Sequence, residues 1–239
     1  MKATITLGEL TVSVDRKAIR NIHLSVYPPD GRVHISAPDR FDLDAVRIYA
    51  IGRLDWIHRQ RKELISQARE TPRDFITRES HYLAGQRYLL VMKEEIGARP
   101  RVQQKEKELW MWVPLGYATE RRKSLLDSFY REYLQLKVPQ LIEHYESLMG
   151  VSVAEFRIRR MRTKWGSCNI EARRIWLNLE LARKPPECLE YLVVHEMVHL
   201  LERQHNARFV QLMDRFLPAW RDLRALLNRL PVVHVDWKY

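Results

Sequence analysis

Apolar and polar residues alternate in the strand period over residues 1–38, where Leu10, Val12 and Val14, then Ile22, Leu24 and Val26, then Val33 and Ile35 form three runs. Asp30-Gly31, between the last two runs, marks a hairpin. The period then lengthens. From an N-cap at Asp42 or Asp44 towards Ala68, Val46, Tyr49, Leu54, Ile57 and Leu64 recur at helical spacing, which predicts one helix whose Arg59 to Glu63 end is wet. Strand-like segments return around Tyr82–Leu83, Gln86–Lys93 and Leu109–Val113, separated by the Gly97 to Arg101 turn region and the charged stretch Gln104 to Glu108.

A second texture begins near Gly116. Residues 119–149 predict one long helix with Leu125, Phe129, Tyr133, Leu136, Leu141, Tyr145 and Leu148 inward, Pro139 breaking or kinking it and Gly150 at its end. Ser152 to Arg162 and Arg174 to Leu179 read as strands flanking a polar link, Gly166 to Arg173, and Pro185-Pro186 stands where a further helix begins. Val232 to Trp237 reads as a last short strand. No internal repeat and no low-complexity linker is apparent. The pattern predicts an α+β chain, with a β-rich subdomain holding one helix over 1–115 and a mainly helical domain with a small sheet over 116–239.

Composition narrows the class. With 46% hydrophobic and 30% charged residues the chain is an ordinary globular one, neither disordered nor fibrous. No run reaches the length of a membrane span, and the amino terminus has no secretory apolar stretch. Cys168 and Cys188 are too few for a disulfide framework and fit a reducing, cytoplasmic setting. A net charge of +11 points to an anionic partner such as nucleic acid, nucleotide or acidic protein. The basic clusters, from Arg16–Arg20 to Arg157–Lys164, show no aromatic platform in register with them.

The most informative segment is His195-Glu196-Met197-Val198-His199. Side chains four apart on a helix lie only about 40° apart, so both imidazoles face one cation while Glu196 stands beside it. Zinc held by two His and one further ligand keeps a position open for water, acidifies that water, and leaves a neighbouring carboxylate to take its proton. Residues 187–201 are apolar on nearly every face, so a Glu and two His inside that helix need partners, and a divalent cation serves all three. His205 has the ten-residue offset from His195 at which a third histidine ligand is found in metzincins. That role requires the helix to end near Glu202 to Gln204, with Asn206 capping a new helix from Ala207 to Leu217. Glu202 occupies the bend where that pattern has glycine. Asp214 and Asp222 are the competing third ligands.

The chain resembles the YgjP-like zinc metallopeptidases, relatives of the SprT-like zincins. The resemblance rests on Arg162-Thr163-Lys164-Trp165-Gly166-Ser167-Cys168, Ile175-Trp176-Leu177-Asn178, Tyr191 to Leu200, His205, Phe209 and Leu217-Pro218. Asp30-Gly31, Asp55-Trp56-Ile57 and Gly85-Gln86-Arg87-Tyr88 extend it over nearly the whole chain. It implies a zincin-like catalytic domain, one zinc ion per chain on His195, His199 and His205, Glu196 as general base, and protein or peptide substrates. Lys164 replaces the family's usual Arg and Val210 an aromatic, departures that bear on substrate preference. A strand lining the cleft, either 174–178 or 157–162, would pair with an extended peptide, with Arg162, Lys164, Trp165 and Asn178 as substrate-binding candidates. On the plainer reading Trp165 fills core, Gly166 makes a turn, the cations are solvated and Asn178 ends a strand. Two rival functions remain on the sequence alone: metal-dependent hydrolysis of a nucleoside triphosphate, and a nucleic-acid-associated zinc protein.

Overall fold

The computed structural model describes residues 2–27, 30–66, 73–161 and 164–231, apart from the side chains of Glu63 and Ser66. Arg162 and the Val232–Trp237 strand lie outside them, as does the predicted helix extension to Ala68. The architecture is mixed α+β, with a β-rich amino-terminal region followed by a helical part carrying a small sheet. Contacts divide the chain into two compact units, Met1–Gln67 and Ala68–Tyr239.

The first unit holds β1 (Lys2–Leu7), β2 (Leu10–Lys17), β3 (His23–Tyr27) and β4 (Arg32–Pro38) in the order β1-β2-β4-β3. β2 and β4 are parallel, and the two flanking pairs are antiparallel. The alternation does what it predicts: Val12 and Val14 of β2 and Val33 and Ile35 of β4 point to one buried face. Asp42 caps α1 (Leu43–Ile51) by accepting from the Ala45 amide at 2.7 Å. The single helix expected here is two, because the chain breaks at Gly52, the poorest helix former in the run, before α2 (Leu54–Ser66).

In the second unit β5 (Ser80–Leu83), β6 (Gln86–Glu94), β7 (Arg101–Lys105) and β8 (Glu108–Val113) form a sheet ordered β5-β6-β8-β7. This repeats the first sheet's plan, again with the central pair parallel and the flanking pairs antiparallel. Leu10, Arg32 and Leu43 start β2, β4 and α1, and Gln86, Glu108 and Thr119 start their counterparts at one constant offset along the chain. The repeat absent from the sequence pattern is thus present in the topology. The textural change near Gly116 is where α3 (Thr119–Met149) follows this sheet, but the sheet and helix share one core, so the contact boundary falls earlier, at 67/68.

α3 runs unbroken through Pro139, and its buried stripe is Leu126, Tyr130, Leu134, Val138, Ile142, Tyr145 and Met149. Of the predicted stripe Tyr145 is buried with it, Leu125, Phe129, Tyr133 and Leu141 pack half-buried against the same core, and only Leu136, 71% exposed, and Leu148, 53% exposed, face solvent. Seven buried side chains carry the helix past a proline that faces solvent. Gly150 ends it at φ +67°, as expected.

A second small sheet, β10-β11-β9, contains β9 (Glu155–Arg159), β10 (Gly166–Asn169) and β11 (Arg174–Asn178). The supposed polar link 166–173 therefore holds an outer strand and its turn. A 3-10 segment, Leu179–Arg183, leads into α4 (Pro186–Val198), followed by α5 (Ala207–Phe216) and α6 (Trp220–Arg229). The β5–β6 turn grips this entry: the Ala84 and Gly85 amides donate to the Ala182 and Arg183 carbonyls at 2.8 and 3.2 Å. Gly85 sits at φ +76°, and a Cβ there would meet Pro185 at 2.9 Å, so both turn and close approach require glycine.

His81 of β5 is wholly buried and stacks on Phe75 at 5.7 Å. Its Nε2–H donates to the Glu79 carboxylate at 3.2 Å, which also accepts from the Asp74 and Phe75 amides. Burial, aided by the Arg183 and Arg73 charges, pushes the imidazole down to about 3. The folded state thus holds it neutral while the unfolded chain takes up a proton below about pH 6.5, so stability present above that pH is lost as pH falls towards 3. Between pH 7 and pH 5 the loss amounts to about 2 kcal/mol. Urea midpoints of the wild type and His81→Gln at the two pH values check this: the variant is expected to lose about 2 kcal/mol less, and equal losses would contradict it.

Candidate metal centre and cleft

α4 is buried on nearly all sides, and Leu192, Val193, Val194, Met197 and Val198 anchor it in the core around His195 and Glu196. It ends at Val198, earlier than the expected Glu202–Gln204, and His199 is its C-cap. The bend needs no glycine. The Leu200 and Leu201 amides tighten onto the Met197 and Val198 carbonyls, and no residue from 199 to 206 adopts positive φ. Asn206 then caps α5, accepting from the Phe209 amide at 3.0 Å. The turn delivers His205 back over α4.

His195, His199 and His205 converge: each offers a ligand atom within 4.8 Å of the others'. The Nε2 atoms of His195 and His205 are 3.1 Å apart. Two nitrogens bound to one tetrahedral zinc ion stand about 3.3 Å apart, so this spacing suits a shared ion. His199 donates Nδ1–H to the Glu202 carbonyl at 3.1 Å, which fixes its tautomer and leaves Nε2 as the free donor atom. Phe209 of α5 is buried beneath the cluster, with ring centroids 5.0, 4.9 and 4.6 Å from His195, His199 and His205. Burial lowers all three histidines, His195 to about 3, with Arg224 of α6 contributing at His195 and His205. Neutral imidazoles with available lone pairs are what a zinc ion takes. Asp214 is engaged by Trp220 Nε1 at 2.7 Å and by Arg221, and Asp222 is not in the cluster.

Glu196 is 4% exposed and faces Gly166, the first residue of β10. A Cβ on Gly166 would stand 2.4 Å from Glu196 Oε1 and 2.9 Å from its Cγ and Cδ. Gly166 is therefore where the carboxylate fits, a role the Trp-Gly-Ser stretch alone does not reveal. Burial pushes the Glu196 carboxyl up to about 8, opposed by the Lys164 ammonium. Burial also raises the Cys168 thiol to about 11, Glu196 adding to it, so this cysteine is a poor nucleophile.

A cleft of about 970 Å³ opens over these groups, lined by β10 on one side and the His195–His205 bend on the other. The cleft strand is thus 166–169: 174–178 is the sheet's central strand and 155–159 its far edge, so neither strand proposed from sequence lines the cleft. Of the substrate-binding candidates, Lys164 lines the cleft. Trp165 packs against the core instead. Asn178 is buried and its side chain is spent on backbone, donating to the Met161 and Lys164 carbonyls at 3.0 and 2.8 Å and accepting from the Glu180 amide. It ties Met161 and Lys164 to the end of β11 and does not line the cleft. Arg203, which the sequence reading did not single out, also lines the cleft.

A mixed α+β fold with a cleft over three histidines that could hold one metal ion, and a buried carboxyl group beside them, has the parts a metal-dependent hydrolase uses. The family model for the YgjP-like metallopeptidase domain matches residues 20–230, and the chain belongs to the YgjP-like family. No curated protein matches the chain. The crystal structure of the metallopeptidase zymogen of Pyrococcus abyssi abylysin aligns at 22% identity and a TM-score of 0.35, over 40% of this chain and 99% of that one. No helix among the described residues is long and apolar enough to cross a membrane.

Proposed function

We propose that the chain is a zinc-dependent peptidase in which His195, His199 and His205 hold one ion and Glu196 is the general base. The observation that carries this is the convergence of three imidazoles beside a buried carboxylate, all opening on one cleft. Zinc bound there supplies Lewis acidity towards a peptide carbonyl and acidifies water. Burial alone would keep most of Glu196 protonated at pH 7, and a dication on the adjacent histidines would favour its carboxylate, which would take the proton from the attacking water and return it to the leaving amine. Gly166 leaves room for that carboxylate, and Phe209 closes the floor of the site against solvent. β10, an outer strand, offers backbone N–H and C=O groups to an extended peptide, which holds substrate without demanding a particular sequence.

Metal content and turnover test this together. Purified protein is expected to carry one zinc ion per chain, to cleave a mixed peptide pool, and to lose that activity to a chelator and regain it with zinc. Spreading about 10–16 kcal/mol of zinc affinity over four ligands gives about 3 kcal/mol each, so His205→Ala should weaken zinc binding about 100-fold. Unchanged affinity would remove His205 from the ligand set. One observation favours a second reading, hydrolysis of a nucleoside triphosphate: Lys164 and Arg203 bring two cations to the cleft. Peptides and nucleoside triphosphates assayed side by side decide between them.

A further inference from the structure

The outer face of the β5-β6-β8-β7 sheet carries a feature that the site above does not use. Trp110 and Trp112 of β8 lie there with ring centroids 5.7 Å apart. Three exposed cations from the flanking strands cover them: Lys93 of β6 lies 5.0 Å from the Trp110 ring, Lys105 of β7 4.4 Å from Trp110 and 5.1 Å from Trp112, and Arg101 of β7 4.2 Å from Trp112. The registers put these residues side by side, with Lys93 and Arg101 both opposite Trp112. The inner face of the same strands, Leu90, Leu109, Met111 and Val113, is core, so the outer face is not needed to build it.

The repeated topology supplies an internal comparison. Buried Val33, Ile35 and Ala37 of β4 occupy the positions of buried Leu109, Met111 and Val113 of β8. The outward residues between them are His34 and Ser36 in the first sheet and Trp110 and Trp112 in the second. His34 there hydrogen-bonds Ser13 and Ser36, approaches Asp15 and lies 6.2 Å from the Tyr27 ring at a tilt, with no cation over an indole. The same strand plan forms with a histidine and a serine, so two indoles beneath three cations are a property of this face and not a demand of the fold.

We propose that this face binds single-stranded nucleic acid, with Lys93, Arg101 and Lys105 on the phosphates and Trp110 stacking a base. Long cationic stems swing from ring to phosphate without leaving the surface, and a freed indole face accepts any base. Charge complementarity supports the occupant: the three cations outweigh Glu108, whose carboxylate accepts from Trp110 Nε1 at 2.8 Å, and the chain as a whole is +11. The peptidase reading is not needed for it.

Anisotropy of a fluorescein-labelled oligothymidylate of about 15 nucleotides, titrated with full-length protein over a range of salt, tests the proposal. The log–log salt slope is expected to shrink by about 1.4 in the Lys93→Ser/Lys105→Ser double variant, two phosphates at about 0.7 each. Trp110→Ala should weaken binding about 5- to 150-fold and Trp110→Phe far less, and binding should quench the wild type's tryptophan fluorescence, a readout that does not depend on Trp110→Ala folding. The Lys123→Ser/Lys137→Ser variant removes the same charge from exposed positions on α3 and should change little. Equal loss in that control, undiminished binding in Trp110→Phe and Trp110→Ala alike, or displacement of the oligonucleotide by polyglutamate of matched charge as readily as by itself would each overturn the proposal.

Discussion

Glu196→Gln is expected to retain one zinc ion per chain and to lose turnover by about 10²- to 10⁴-fold, the range a positioned general base contributes. Glutamine keeps the shape of the side chain, so the packing of α4 against Gly166 survives, but it cannot accept a proton. The variant separates the two things a glutamate beside three histidines does: a base leaves metal content intact when replaced, whereas a ligand takes the metal with it. Kinetics on the best peptide substrate, with zinc measured on the same sample, gives both answers. Loss of metal in parallel with loss of activity would place Glu196 among the ligands and leave the reaction without a base.

The legibility of this site in sequence follows from which contacts are local. His195, Glu196 and His199 sit within one helical turn, where geometry follows from spacing alone. Asn206 as the cap of α5 was equally legible, because a capping side chain reaches only three residues ahead. The position of β10 was not: a four-residue strand rich in small and polar residues has no period to read, and it becomes a strand by pairing with β11. Gly166 and Glu196 meet across thirty sequence positions, and nothing in either stretch announces it. α3 shows a subtler failure. Its sequence offers two adjacent apolar stripes, and both meet the core: the Leu126–Met149 stripe lies deepest, Leu125, Phe129, Tyr133 and Leu141 flank it half-buried, and Leu136 and Leu148 are left to solvent by the elements it packs on. The twin sheets escape notice because only inward positions correspond, and those tolerate Val, Ile, Ala, Leu and Met alike.

Gly166→Ala is expected to fold, to bind zinc, and to lose activity by at least about 10²-fold, most of what Glu196 contributes. The new methyl would stand 2.4 Å from Glu196 Oε1, well inside van der Waals contact, so one of the two must move. β10 is held by its pairing with β11, and the Gly166 carbon is backbone. The Glu196 side chain is the part that yields, and because its Cγ and Cδ would also stand 2.9 Å from the methyl it must turn from its root and not at the carboxylate alone. A rotation about its side-chain bonds costs about 0.5–1.5 kcal/mol, far less than breaking strand pairing, so stability falls little while the base leaves its place. A double-mutant cycle makes the claim specific. If the methyl acts only by displacing Glu196, adding Gly166→Ala to Glu196→Gln costs almost nothing further, because the displaced group has already lost its function. Fully additive losses would mean that Gly166 serves the cleft independently of Glu196, through the peptide-pairing edge of β10 instead.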